Sequence, residues 1–197
     1  MAGRLLDDDP EQAYQHAAWA RRKAGRLAAV REAAALAAYG TGRYAEALAD
    51  LRAYRRLSGS AAYWPVEADC ERGLGRPERA LAMAGAPEVR QLDRAAQAEM
   101  RIVAAGARRD LGQLDAAVVT LQGPELKSTA KLPSIARVHY AYADTLLAAG
   151  REAEARLWFA RAAEADTSGE TGAADRLAEL EGLTFIDAYE GPGHDLE

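Results

Sequence analysis

From Tyr44 to Leu57 the apolar positions Tyr44, Ala47, Leu48, Leu51 and Tyr54 fall at i, i+3, i+4, i+7 and i+10, one face of an α-helix. Gly42 precedes that stretch, and Thr41-Gly42 breaks the helix before it. The same pattern returns as GRPERALAMAGA from Gly75, GQLDAAVVTL from Gly112 and GREAEARLWFARAAEAD from Gly150. In each case an alanine follows the glycine five residues later (Ala47, Ala80, Ala117, Ala155). A larger residue sits four further on, Leu51, Leu121 and Phe159, with Ala84 the exception. The glycine-to-glycine steps are 33, 37 and 38 residues, and another helical stretch lies upstream of each glycine. β-Branched residues do not alternate anywhere for long. Self-similarity of this length predicts stacked helical hairpins.

Flanking segments read as helices of their own. Asp9 is an N-cap candidate, Pro10 a first-turn residue, and Ala13, Ala17 and Ala20 a small face, predicting a helix over 10–24. Ala174, Leu177 and Leu180 predict a capping helix over 170–181. The end of the chain, 183–197, is aperiodic and acidic and reads as a frayed tail.

With the repeat in view, the chain resembles the tetratricopeptide repeat family, whose unit runs to about 34 residues. The match is best over Arg137–Thr167, where Tyr142, Ala143 and Leu146 occupy the family's helix-A positions and Gly150, Ala155, Phe159 and Ala162 follow. In the first unit Ala34, Ala35 and Ala38 are smaller than the family pattern. In the second, Trp64 stands at the family's Trp position, but Glu67 and Glu71 replace apolar residues. In the third, Arg108 replaces an aromatic. DDDPEQAYQHA and ERGLGRPERAL are also similar to tetratricopeptide proteins of high-GC bacteria, a likeness that brings no activity with it. The resemblance implies an all-α fold over 1–182, a right-handed α-α superhelix of about four hairpins (units about 28–59, 61–86, 98–124 and 136–167) plus terminal helices.

It also implies where a partner would lie. Helix A of each unit lines the concave face. Carried across, the groove positions are Glu32, Leu36 and Tyr39 in the first unit, Asp69 and Arg72 in the second, Ile102 and Arg109 in the third, and Arg137, Tyr140 and Asp144 in the fourth. Asp144 replaces the Asn with which many members grip peptide backbone, so the family's Lys-and-Asn carboxylate clamp is not reproduced. Arg72, Arg109 and Arg137 remain as groups able to grip a carboxylate bidentately.

Composition narrows the class further. With 197 residues, 49% of them hydrophobic, the chain has material for a real core. No run of about 18 apolar residues occurs, so no membrane span is expected. MAGRLLDDDP has no signal-peptide pattern, and Cys70 is the one cysteine; both favour the cytoplasm. The net charge of −5 hides an asymmetry. From Pro10 to Ser58 nine basic residues face four acidic ones, while from Glu164 onward ten acidic residues face only Arg176.

Catalytic chemistry is not assembled by the sequence. His16, His139 and His194 lack metal-ligand spacing with one another or with Cys70, which reads as a small buried hydrophobe. GTGRY and GLGRP lack the context of phosphate-cradling loops. Glu152 and Glu154 sit at a helix start, where carboxylates favour the macrodipole. Trp19, Trp64 and Trp158 read as packing residues. The expectation is therefore a protein without catalytic residues, cofactor or metal, binding a peptide or helix of another protein in its groove. The alternative is nucleic-acid binding through Arg21, Arg22, Lys23 and Arg26 and through Arg52, Arg55 and Arg56, against which stands the net negative charge.

Overall fold

The computed structural model describes residues 9–182, and among these every regular element is helical. The α-helices are α1 (Pro10–Ala24), α2 (Ala28–Gly40), α3 (Tyr44–Ser58), α4 (Trp64–Gly73), α5 (Pro77–Ala84), α6 (Arg94–Asp110), α7 (Leu114–Leu121), α8 (Pro133–Ala148), α9 (Glu152–Ala165) and α10 (Ala173–Leu180). Short 3-10 turns, Pro87–Gln91 and Pro124–Lys127, lead from α5 to α6 and from α7 to α8. None of the described helices is long and apolar enough to cross a membrane. The expected acidic tail, 183–197, lies outside the described residues.

Four consecutive hairpins result: α2–α3, α4–α5, α6–α7 and α8–α9, each packed against the next, with α1 before and α10 after them. One turn chemistry makes all four. Gly42, Gly75, Gly112 and Gly150 have φ of 71°, 72°, 72° and 75°, left-handed backbone that a Cβ disfavours. Each glycine N–H bonds the carbonyl three residues back (Tyr39, Arg72, Arg109, Leu147), and the next N–H bonds the carbonyl five back (Ala38, Glu71, Arg108, Leu146). This is the Schellman motif, which satisfies the orphan carbonyls of each first helix and reverses the chain at one fixed angle.

The alanines five residues after these glycines are all fully buried, as are Leu51, Leu121 and Phe159 four residues further on. Small and large residues alternate in the layers. Between α1 and α2 the contact is alanine on alanine, Ala13 and Ala17 against Ala34 and Ala37, so these helices approach closely. The next layer adds Leu48, Leu51 and Cys70 to Ala35, Ala38 and Ala47. Trp64, Met100 and Val103 fill the middle. Val118, Leu121, Tyr142, Leu146 and Phe159 form the bulkiest cluster at the C-terminal end.

Three helix starts differ from the sequence expectation. α6 begins at Arg94 rather than near Ala98, because the Asp93 side chain accepts the Ala96 N–H at 2.8 Å and caps the helix there. α8 begins at Pro133, a favoured first-turn residue. α10 begins at Ala173 rather than Glu170: the Asp166 carboxylate accepts from the Thr171 N–H (2.7 Å), the Thr171 hydroxyl (2.5 Å) and the Glu170 N–H (3.2 Å), tying that stretch into a loop.

Candidate interaction face

All ten residues expected to line the groove lie on the first helices of the hairpins: Glu32, Leu36 and Tyr39 on α2, Asp69 and Arg72 on α4, Ile102 and Arg109 on α6, and Arg137, Tyr140 and Asp144 on α8. Within each helix their spacing of three, four or seven residues puts them on one face.

The structure brings most of them together in a way their sequence positions do not announce. The Tyr39 hydroxyl donates to Asp69 Oδ2 at 2.5 Å. The other oxygen of Asp69 accepts from Arg72 Nη1 at 2.7 Å, and Arg72 Nε donates onward to Asp110 Oδ2 at 2.6 Å. Arg109 Nη1 donates to Asp144 Oδ2 at 2.5 Å. Arg137 grips Glu99 with two parallel bonds, Nε at 2.7 Å and Nη2 at 2.8 Å. Tyr63, just before α4, donates to Glu32 at 2.5 Å. A ladder of charge-assisted bonds thus ties α2 to α4, α4 to α6 and α6 to α8.

This corrects one expectation. Arg72, Arg109 and Arg137 do not stand open for a foreign carboxylate, because each already holds one from the chain itself. Asp144 likewise spends an oxygen on Arg109. Leu36, Ile102 and Tyr140 remain half-buried apolar surface on the same helices, with Tyr140 set edge-on against Phe159 at 5.3 Å.

Local electrostatics follow from the pairing. Burial, then the hydrogen bond to Asp69, pushes the Tyr39 phenol well above its ordinary value. Burial and Glu32 push Tyr63 up to about 12. Burial opposes the charge of Arg72, but Asp69 and Asp110 more than offset it and the guanidinium is held protonated more firmly than usual. The Arg72 guanidinium lies flat on Gly106, where an added Cβ would stand 3.0 Å from Nη1.

Sequence reasoning missed Tyr63, Glu99 and Asp110, the partners in this ladder. A signal was present. The paired residues are separated by 31 (Glu32–Tyr63), 30 (Tyr39–Asp69), 38 (Arg72–Asp110), 35 (Arg109–Asp144) and 38 (Glu99–Arg137) positions, each close to one repeat. Complementary groups one repeat apart are the mark of stacked helices reaching across to one another.

A second polar network lies away from this face. Glu67 and Glu71 are each 2% exposed and Asp50 1%. Glu71 takes Arg52 and Arg76, both at 2.8 Å, and Glu67 takes Arg55 at 3.2 Å. Asp50 takes Arg21 at 2.6 Å and Arg31 at 2.5 Å. Burial raises the Glu67 pKa even with Arg55 and Arg52 beside it. These contacts use up much of the N-terminal basic charge: Arg21, Arg31, Arg52 and Arg55 are spent on buried acids, and Arg43 pairs with Glu11 at 3.0 Å. Arg22, Lys23, Arg26 and Arg56 are left without an ion-pair partner among the described residues.

Cys70 is fully buried, and burial followed by Asp69 pushes its thiol up to about 12, far from a reactive thiolate. Glu152 and Glu154 pair with Arg156 and Arg151. Trp64 donates from its indole N–H to the Met83 carbonyl at 3.1 Å. Among the described residues no cluster of three or more His, Cys, Asp or Glu side chains is placed to hold a metal ion.

Neither a protein-family model nor a curated protein matches this chain, so the reading of its function rests on the helical hairpins and the face they present.

Proposed function

We propose that the chain is a tetratricopeptide-type solenoid, its hairpins wound into a right-handed superhelix, and that it works as a non-catalytic adaptor holding a peptide or helix of another protein against α2, α4, α6 and α8. The observation that supports this reading is the ladder itself. It fixes four helices in register and leaves a face with alternating charges and the apolar Leu36, Ile102 and Tyr140 on it. Such a face is pre-organised, so an incoming peptide meets side chains whose ordering is already complete. Because its arginines are neutralised in place, recognition falls to apolar contact and to remaining hydrogen-bond capacity. Arg137 is the most open of the three, 55% exposed at its side chain.

Nucleic-acid binding is the competing reading, and the pairing of five N-terminal arginines weighs against it. The test is affinity capture from an extract of the source cells, with and without nuclease. The adaptor reading expects a defined protein partner that survives nuclease. Loss of all captured material on nuclease treatment would refute it.

A further inference from the structure

Three large apolar side chains stand exposed near the N-terminal end of the described structure: Trp19 (58%), Leu27 (60%) and Leu57 (49%). Arg22, Lys23, Arg26 and Arg56, which make no ion pair among the described residues, are exposed beside them. Bonds between α1 and α3 fix this geometry. Glu11 pairs with Arg43, Tyr14 with Glu46 and Arg21 with Asp50, separations of 32, 32 and 29 positions. The two helices therefore run side by side in the same direction, which brings Arg26 and Leu27 level with Arg56 and Leu57. On α1 itself, Trp19 and Arg22 turn away from the buried Ala13 and Ala17, with Lys23 next to them. No acidic residue occurs from Gln12 to Arg31 or from Leu51 to Val66. The acids of α3 that face α1, Glu46 and Asp50, are taken by Arg21 and Arg31.

The apolar side chains, not the cations alone, point to the occupant. Leu27 is the N-cap of α2, a position that favours Ser, Thr, Asp or Asn, and it makes no capping bond. An exposed leucine there serves neither the cap nor the core. A nucleic-acid backbone would satisfy the cations, and a base would stack on Trp19, but leucines have no π-face and gain nothing from either. A bilayer surface takes both kinds of group. Its anionic headgroups attract Lys and Arg, while Trp and Leu enter the boundary between headgroups and acyl chains. Exposure, which weakens a small-molecule site, is what a surface of this kind requires.

We propose that this end of the molecule docks on the surface of an anionic lipid bilayer, with Arg22, Lys23, Arg26 and Arg56 among the headgroup phosphates and Trp19, Leu27 and Leu57 entering the acyl boundary. The attachment is peripheral, since none of the described helices is long and apolar enough to cross. The patch is built mainly from α1 and α3, not from the α2–α4–α6–α8 face, so it is testable without a protein partner.

The experiment is flotation of the full chain with vesicles of equal parts phosphatidylglycerol and phosphatidylcholine, and with vesicles of phosphatidylcholine alone, in low and in high salt. The expected result is binding to the anionic vesicles only, weakening as salt screens the charges. Arg22→Glu/Lys23→Glu binds at least about tenfold more weakly. Arg94→Glu/Lys131→Glu, the same change of charge on other exposed positions, binds as wild type does. Tryptophan emission moves to shorter wavelength on the anionic vesicles, and Trp19→Phe abolishes that movement, because Trp64 is buried and Trp158 half-buried without lipid. Every substituted residue is exposed, so the variants keep the fold, and far-UV circular dichroism confirms it. Absence of flotation with anionic vesicles, equal binding to both kinds, equal losses in the two charge variants, or unmoved emission in wild type would each overturn the proposal. A single-stranded oligonucleotide that strips the protein from anionic vesicles at matched phosphate concentration would overturn the lipid in favour of nucleic acid.

Discussion

Replacing Phe159 by alanine removes the largest fully buried side chain of the described structure. Phe159 sits on α9 among Leu121, Tyr142, Leu146 and Ala155, where the third hairpin meets the fourth. Three terms add. Returning the ring to water costs about 1.5–3 kcal/mol. The cavity left behind adds about 24 cal/mol per Å³, and the core around it is held by two hairpins and relaxes only in part. The edge-on pair with Tyr140 is lost as well, about 0.5–1.5 kcal/mol. The measured range for such truncations, about 3–5 kcal/mol, is the expected penalty. For a chain of this size each kcal/mol moves the thermal midpoint by about 2–4 °C, so the loss is large on any instrument. The assay is urea unfolding followed by far-UV circular dichroism, with amide exchange reporting whether α8–α10 open before the rest, as hairpins joined only to neighbours allow. Leu157→Ala, two residues away and 67% exposed, is the control and stays within about 0.5 kcal/mol. If Phe159→Ala unfolds like that control, the packing register of the last two hairpins is wrong.

Three further outcomes follow from particular contacts. Gly112→Ala destabilises by at least about 1 kcal/mol, because the turn needs its φ of 72°, whereas Gly40→Ala, in helical backbone with open space at the Cβ, is neutral or stabilising; equal effects in urea titrations would refute the turn assignment. Asp166 is held down to about 2 by the Thr171 side-chain and backbone donors, so its contribution is present above the unfolded carboxylate range and is lost as pH falls through about 2; exchange protection of α10 drops over that acid window in wild type and is already reduced at neutral pH in Asp166→Asn. Cys70 stays unmodified by iodoacetamide at pH 8 in the folded chain and reacts at once in urea; rapid labelling of the native protein would show that the α3–α4 core is open.

What the sequence revealed was whatever local chemistry determines. The four glycines announced the turns because only left-handed backbone completes a Schellman motif, and the alanines five residues later announced the close contacts because a larger side chain would not fit. α1 was legible to the residue, since Asp9 accepts the Gln12 N–H at 2.9 Å and Pro10 opens the helix. The start of α6 was obscured by the repeat template, although Asp93 was in plain view as a cap. Glu67 and Glu71 looked misplaced in an apolar pattern. An acid is buried here because arginines from α3 and from the turn before α5 reach it, and no local window contains both partners. The candidate face followed the same division. Its helices were readable from the repeat, while the pairing that closes its arginines required three-dimensional neighbours one repeat away.

Whether the α2–α4–α6–α8 face holds the partner, as proposed, is decided by separating Arg137 as a ligand contact from Arg137 as a strut. Three variants are compared with wild type for capture of the nuclease-resistant partner: Arg137→Glu, the charge swap Arg137→Glu/Glu99→Arg that restores the pair in reverse, and Arg156→Glu on the outer side of α9. Far-UV circular dichroism confirms the fold of each. The expected result is that Arg137→Glu and the swap both lose the partner while Arg156→Glu retains it. Retention by both Arg137 variants together with loss in Arg156→Glu would place binding on the opposite side of the hairpins and contradict the claim.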